Sequence, residues 1–335
     1  MMSPSFETLS SLYPTLTFAP IDLQHDLPDM AAVAEAERQA GLVSSVTTLE
    51  SLANTYAHLQ NCHLPTDSVT VRENGQFIAF GRVLWERKVN TPTIDYYLVL
   101  RSDPSKADSE LIRQILLWQE QRLAEIATTI PTPNTGNYSS YCSEQNLPRI
   151  EILKSLGYEI ARYYHGMKRP LSGSLPDAPM PAGLEVRPVT PAMLPQVWEA
   201  SVEAFRDEWG AAELSEEAYQ QFLSDPTTNH ALFQVAFDGD EIAGMVLNYI
   251  DEDGNRTYNR QRGYTEGITV RRPWRKRGLA SALICRSMRM FKEMGMEEVA
   301  LGVDSENPSG AQNLYRSLGY KAYRTEYEFH KPTPW

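Results

Sequence analysis

Alternation of apolar and polar positions marks strands at two places that read alike. GQFIAFGRVL (75–84) and GDEIAGMVLNY (239–249) each open on a turn glycine and then alternate, with a second glycine inside the run. Helical spacing ends in ILKSLGY (152–158) and again in LYRSLGY (314–320). Each has glycine at the C-cap and a strand-like aromatic run after it, EIARYYHGMKR and KAYRTEYEFHK. Both likenesses lie about 162 residues apart, and a constant offset is the mark of two similar folds in tandem. Between them PLSGSLPDAPMPAG (170–183) holds four prolines in fourteen residues. Fixed φ and missing N–H groups make this a linker, not an element. The expected division is a first domain at 1–169, a linker at 170–183 and a second domain at 184–335.

The second half is the more readable. Its patterns predict a strand at 184–189, helices at 191–206 and 215–224, and strands at 231–237 and 241–250. An acidic turn, Asp251-Glu252-Asp253-Gly254-Asn255, precedes a strand from Tyr264 to Val270. A helix at 278–294, a strand from Glu298 to Val303, a helix at 308–318 and a strand at 320–329 complete it. Mixed strands and helices in this order make an α/β (α+β) layer fold.

Composition narrows the class. A chain of 335 residues with 42% apolar and 22% charged residues has room for two ordinary soluble domains. A net charge of −12 argues against general nucleic-acid binding and mildly favours cationic partners such as amines. Cys62, Cys142 and Cys285 are widely spaced, and the six histidines form no HxxxH or HExxH pattern, so neither a disulfide framework nor a metal site is expected. The N-terminus lacks a charged start followed by an apolar core, and no run approaches membrane-spanning length. A cytoplasmic location with no membrane partner is therefore expected.

Against this acidic background, RRPWRKRGLASAL (271–283) places five cations in seven positions just before a glycine and a helix. A helix N-terminus carries unpaired N–H groups and about half a positive elementary charge. Gly278 lets an anion approach the backbone, Ala280 keeps the first turn small, and Arg275, Lys276 and Arg277 add charge around it. The pattern is neither GxxxxGK[ST] nor GxGxxG, so the expected anion is a pyrophosphate held on a strand–loop–helix of another kind.

Here the sequence resembles the GNAT N-acetyltransferase superfamily. R-x-x-G-x-A at 275–280, entered from a strand ending in Ile268-Thr269-Val270, is similar to its acyl-CoA-binding motif, and Asn307-Pro308, Ala311, Leu314-Tyr315 and Leu318-Gly319-Tyr320 to its N…A..LY…GF segment. The resemblance covers about 184–330 strongly and 1–169 faintly. It implies two tandem GNAT-like domains, each a mixed, mostly antiparallel sheet with a splayed parallel strand pair; the tandem architecture is similar to that of the mycothiol synthase branch. It implies acetyl-CoA as co-substrate, bound by Ile268, Thr269 and Val270 along the strand, by Arg275 to Ser281 (Arg275, Lys276, Arg277, Gly278, Leu279, Ala280, Ser281) at the loop and helix, and by Asn307. It also implies Tyr315 near the sulfur.

Acyl transfer from a thioester needs a polarised carbonyl, a neutral amine and a proton for the departing thiolate. An amine of pKa about 10.4 is roughly 0.05% neutral at pH 7, a handicap of about 4–5 kcal/mol. A carboxylate should therefore relieve it of its proton. Glu266, two residues before Ile268 on one strand and so expected on the same face, is the candidate; Asp304 at the end of the next strand is the rival. Tyr315 is the candidate acid. The first repeat departs from the pattern: LRSDPSKADSELIRQILLWQEQ (100–121) has no glycine and sets Asp103, Pro104 and Asp108 where an anion would sit, and Leu153 stands where Tyr315 does. Its expected role is non-catalytic.

The expected function is transfer of an acetyl group from acetyl-CoA to a small-molecule primary amine, by direct attack in a ternary complex. The alternative is a non-catalytic acyl-CoA-binding sensor or scaffold. Acceptor identity and oligomeric state have no readable signature; Trp198, Phe205 and Trp209 in 198–224 are candidate pocket residues.

Overall fold

The first half of the chain runs α1 (Glu7–Leu12), β1 (Leu16–Ala19), α2 (Leu27–Gln39), α3 (Leu49–Ala57), α4 (Leu64–Asp67), β2 (Ser68–Glu73), β3 (Gln76–Arg87), β4 (Ile94–Ser102), α5 (Ser109–Ala127), β5 (Gly136–Ser143), α6 (Leu147–Ser155) and β6 (Glu159–Pro170). The second runs β7 (Glu185–Arg187), α7 (Leu194–Phe205), α8 (Glu216–Ser224), β8 (Gln234–Asp238), β9 (Glu241–Ile250), α9 (Glu252–Thr257), β10 (Arg262–Val270), α10 (Leu279–Glu293), β11 (Glu298–Asp304), α11 (Ala311–Ser317) and β12 (Lys321–Pro332). These elements come from a computed structural model that describes residues 6–89, 91, 93–131, 135–207, 211, 213, 215–306 and 310–335.

Contacts gather the chain into two units, neither of them continuous in sequence. One comprises Met1–Arg162, Ser215–Ser224 and Glu326–Trp335; the other comprises Tyr163–Leu214 and Asp225–Thr325. In the first, β1 to β4 form an antiparallel meander, β5 lies parallel to β4, and residues 326–332 of β12 pair antiparallel with β5. In the second, β7 to β10 are antiparallel, β11 lies parallel to β10, and residues 164–170 of β6 pair antiparallel with β11. Each sheet is thus closed by the last strand of the other sequence repeat. This partition does not coincide with a cut at the proline-rich stretch, because the aromatic strands that end the two repeats are exchanged.

A parallel neighbour needs a crossover, and in both units a long amphipathic helix supplies it. In α5, Leu111, Ile115, Leu116 and Leu123 are buried, at the spacing that builds one apolar face, in a cluster with Val83, Ile94, Tyr96 and Leu98. In α10, Leu279, Leu283, Ile284, Met288 and Phe291 do the same in a cluster with Ala243, Val246, Val299 and Leu301. Gly263 has no side chain because a Cβ there would come within 2.5 Å of the Phe291 ring. That close approach seats α10 against β10.

Each parallel pair is short. The β10–β11 register spans Arg262↔Glu298 to Tyr264↔Ala300, although β10 continues to Val270 and β11 to Asp304. The β4–β5 register likewise runs from Ile94↔Gly136 to Tyr97↔Ser139, while β4 continues to Ser102. Both sheets therefore open into a wedge beyond the paired stretch. One local expectation changes: the acidic turn at 251–255 is the start of helix α9, whose N-cap Asp251 accepts from the Gly254 N–H at 2.8 Å.

Candidate active site

The wedge of the second unit leads to a cavity of about 610 Å³. Its walls bring together Ile268, Thr269 and Val270 at the end of β10, Arg275, Lys276 and Gly278 in the loop, Leu279, Ala280 and Ser281 in the first turn of α10, and Tyr315 on α11. Ala204 and Asp207, at the end of α7, complete one side. Residues nearly fifty positions apart in sequence are joined because β10, α10 and α11 all pack on one apolar cluster.

Local chemistry builds the loop. Val270 ends the strand, Arg272–Trp274 forms one 3-10 turn, and Gly278 enters α10 in the left-handed region at φ 86°. A Cβ at Gly278 would meet nothing within 4 Å, so backbone angle, not crowding, calls for glycine here. The helix starts without a side-chain cap, and its first intrahelical bond is Ala282 N–H to Gly278 C=O at 3.1 Å. The N–H groups of the preceding turn remain for a ligand. Thr269 is buried, and its hydroxyl meets no hydrogen-bond partner among the described residues. Open helix amides and an orphaned hydroxyl lining one cavity fit a polar, anionic ligand such as the diphosphate and amide chain of an acyl-CoA.

The loop cations are not equivalent. Arg275 donates from Nε to the Val270 carbonyl at 2.8 Å, from Nη1 to Asp207 Oδ2 at 2.6 Å and from Nη2 to the Ala204 carbonyl at 3.2 Å. Arg272 grips the same Asp207 carboxylate, and Arg271 donates to Glu203 Oε2 at 2.8 Å. These bonds fasten the loop to the end of α7, and hydrogen bonds from Arg272 and Arg275 hold the Asp207 carboxyl far below the usual carboxylate range. Arg277 reaches the Ala182 carbonyl at 3.4 Å and does not line the cavity; Lys276 lines it, in a left-handed conformation at φ 60°. Asp207 and Glu203 are residues that the sequence pattern did not single out. Asn307 and Trp209 lie outside the described residues; Trp198 and Phe205 lie on α7.

Tyr315 is buried, with its ring edge-on to Tyr320 at 6.1 Å. Glu266 does not line the cavity. The expectation that it shares a face with Ile268 fails, because the register to β9 shifts from Glu266↔Leu247 to Thr269↔Met245. Three residues there face two, a bulge at Gly267, whose φ is +56°, and strict alternation does not carry across it. A glycine inside an apolar strand was the available signal. Glu266 instead sits at the mouth of the wedge, where its Oε1 accepts the Gly302 N–H at 2.6 Å. That amide has lost its strand partner through the splay. Burial pushes the Glu266 carboxyl up to about 7, against the pull of the Gly302 amide and of Arg324. Asp304 closes β11 and accepts the Glu306 N–H at 2.9 Å.

The first unit fills its own wedge. Ser140 donates to the Leu98 carbonyl at 3.2 Å, and buried Arg149 donates to the Leu100 carbonyl at 3.4 Å. Helix α5 is capped from within: Asp108 accepts the Leu111 N–H at 2.7 Å. Leu153 is fully buried. This unit also gathers Asp95, Glu328 and His330, whose ligand atoms lie within 4.8 Å of one another, and Lys88 supplies the countercharge at 2.9 Å from Asp95.

Residues 194–320 match the family model described as Acetyltransferase (GNAT) family. A mycothiol acetyltransferase of Salinispora tropica is 24% identical over 302 residues, 88% of this chain and 90% of the relative. The GNAT match thus lies in the second half, and over most of its length the chain is similar to a mycothiol acetyltransferase. Solved structures agree in fold: a GCN5-related N-acetyltransferase from Sphaerobacter thermophilus superimposes with a TM-score of 0.69 at 22% identity, covering 95% of this chain and 96% of that one. A tandem GNAT protein from the clavulanic acid biosynthesis pathway gives 0.68 at 15% identity, covering 95% and 98%. The family match falls on the half whose helix terminus is open. The matched segment includes β10, the loop, α10 and Tyr315, which line the cavity of the second unit. Among the described residues no helix is long and apolar enough to cross a membrane.

Proposed function

We propose that this tandem GNAT protein transfers an acetyl group from acetyl-CoA to the primary amine of a small molecule, by direct attack, in the cavity of its second unit. The observation that carries this is the convergence on one cavity of uncapped α10 amides, the end of β10 and Tyr315. Acetyl-CoA supplies the activated acetyl thioester. The α10 amides and Lys276 hold the diphosphate, and backbone groups of Ile268 and Val270 hold the amide arm. Glu266 takes the proton of the attacking amine, and a carboxyl poised near 7 is suited to that at neutral pH. Tyr315 keeps a proton available for the departing sulfur. In the first unit, Asp108 and Arg149 occupy the places an acyl-CoA would need, so we assign it no chemistry.

Thiol release measured with acetyl-CoA across an amine panel (aminoglycosides, an amino-sugar thiol, polyamines, peptide N-termini) tests the proposal. The mycothiol acetyltransferase relatives make the amino-sugar thiol the first to try. Amine-dependent release that disappears in Glu266→Gln is expected. Binding of acetyl-CoA with no amine-dependent release would leave a CoA sensor instead.

A further inference from the structure

Two glycines face each other where the second unit's wedge opens: Gly166 on β6 and Gly302 on β11 are directly paired. Paired residues of an antiparallel ladder share a face, so two absent side chains leave a strip of bare backbone there. Neither absence is idle. A Cβ at Gly166 would come within 2.6 Å of Cγ and 2.7 Å of Nε of Arg324, so the stem of that arginine lies across it. A Cβ at Gly302 would stand 3.6 Å from Glu266 Oε1, the oxygen that accepts the Gly302 N–H. Arg324 and Glu266 therefore occupy adjoining places over the same glycine pair.

Resting on the acetyltransferase reading above, we propose that Arg324 is a positioning residue: laid over Gly166, its guanidinium stabilises the charged form of Glu266 and so sets the pH range in which that base works. Glu266 is half-buried, and a carboxylate that has given up part of its hydration is held ionised by a nearby cation or donors. The Gly302 amide is one such donor, and Arg324 pulls in the same direction. Other charged groups on this face are committed elsewhere. Arg262 and Lys168 both bind Glu298, and Arg260 donates to the Tyr264 hydroxyl at 3.1 Å. Tyr249, Tyr320 and Tyr264 have their pKa values raised, the first two partly by Glu266 itself, so they stay neutral and offer it no charge. Asp304 and the Tyr164 it pairs with on β6 add no positive charge.

The test is a carbon-13 titration of the Glu266 carboxyl in glutamate-labelled full-length protein, the signal identified by its loss in Glu266→Gln. A midpoint near 7 is expected in the wild type. In Arg324→Gln it should rise by about one unit, in Arg324→Lys most of the rise should be rescued, and Gly166→Ala should raise it by dislodging the arginine. An unchanged midpoint in folded Arg324→Gln, or in Gly166→Ala should the first variant not fold, overturns the proposal. The acidic limb of the kcat/KM profile separates this from the wider reading. A limb that moves with the titration supports both. A titration that moves while the limb stays put keeps Arg324's hold on Glu266 and removes Glu266 as the base.

Discussion

At the scale of single residues, the acid and base we propose, Tyr315 and Glu266, differ in their surroundings. Tyr315 lines the cavity and is buried beside Tyr320, so loss of its hydroxyl removes a donor and little packing. Tyr315→Phe should lower turnover about 10²-fold with acetyl-CoA affinity unchanged, read by steady-state kinetics and direct binding. Glu266 carries a linked stability effect. Its carboxyl titrates at about 7 when folded against an ordinary value of 4.5, so the folded state binds more protons between those limits. Stability contributed by this group is present below the lower limit and is lost as pH rises through the upper one. Glu266→Gln should therefore match the wild-type Tm near pH 5 and exceed it at pH 8, by thermal unfolding at both pH values. A Tm difference independent of pH would contradict the raised value. The place of Tyr315 in the cavity wall was legible from the motif, and that of Glu266 on β10 from the strand pattern. The bulge that separates Glu266 from the cavity face was not, because one inserted residue inverts alternation and leaves only Gly267 as a trace.

At the scale of elements, two helices that follow a parallel strand begin differently. Asp108 caps α5, while α10 starts bare after Gly278. The difference lies in one local residue, so it could be read in advance: a side chain that caps a helix competes with any external anion for the same amides. Gly278→Asp should abolish acetyl-CoA binding in calorimetry, since it places both a carboxylate and a strained left-handed residue at that terminus. The clamp between α7 and the loop could not be foreseen, because Asp207 meets Arg272 and Arg275 only once both segments are packed. Asp207→Asn removes the countercharge of Arg272 and Arg275, the second of which lines the cavity. It should tighten acetyl-CoA binding at low salt, roughly two- to fivefold, the scale of an exposed ion pair, and steepen its salt dependence. Weaker binding would show that the clamp shapes the cavity more than it competes with the ligand.

At the scale of the whole molecule, the repeats in the sequence and the units in space are not the same objects. Residues 164–170 complete the sheet that contains β11, and residues 326–332 complete the sheet that contains β5. Fragments 1–169 and 184–335 each lack a strand that their own sheet requires. Expressed singly they should be poorly folded by circular dichroism, and co-expressed they should recover a joint, cooperative unfolding transition. Two independently stable fragments would refute the exchange.

Short-range signals carried most of what could be known in advance. The cation-rich loop, Gly278 and the first turn of α10 lie within a dozen residues, and local dihedrals and charge decide their behaviour in any context. The tandem plan was likewise visible, as a pattern that recurs at constant offset. Strand exchange was not, since EIARYYHGMKR and KAYRTEYEFHK are alike in alternation and aromatic content, and either could pair with β5 or β11 by composition. Which one does so depends on register and on contacts more than a hundred residues distant, and those exist only after folding.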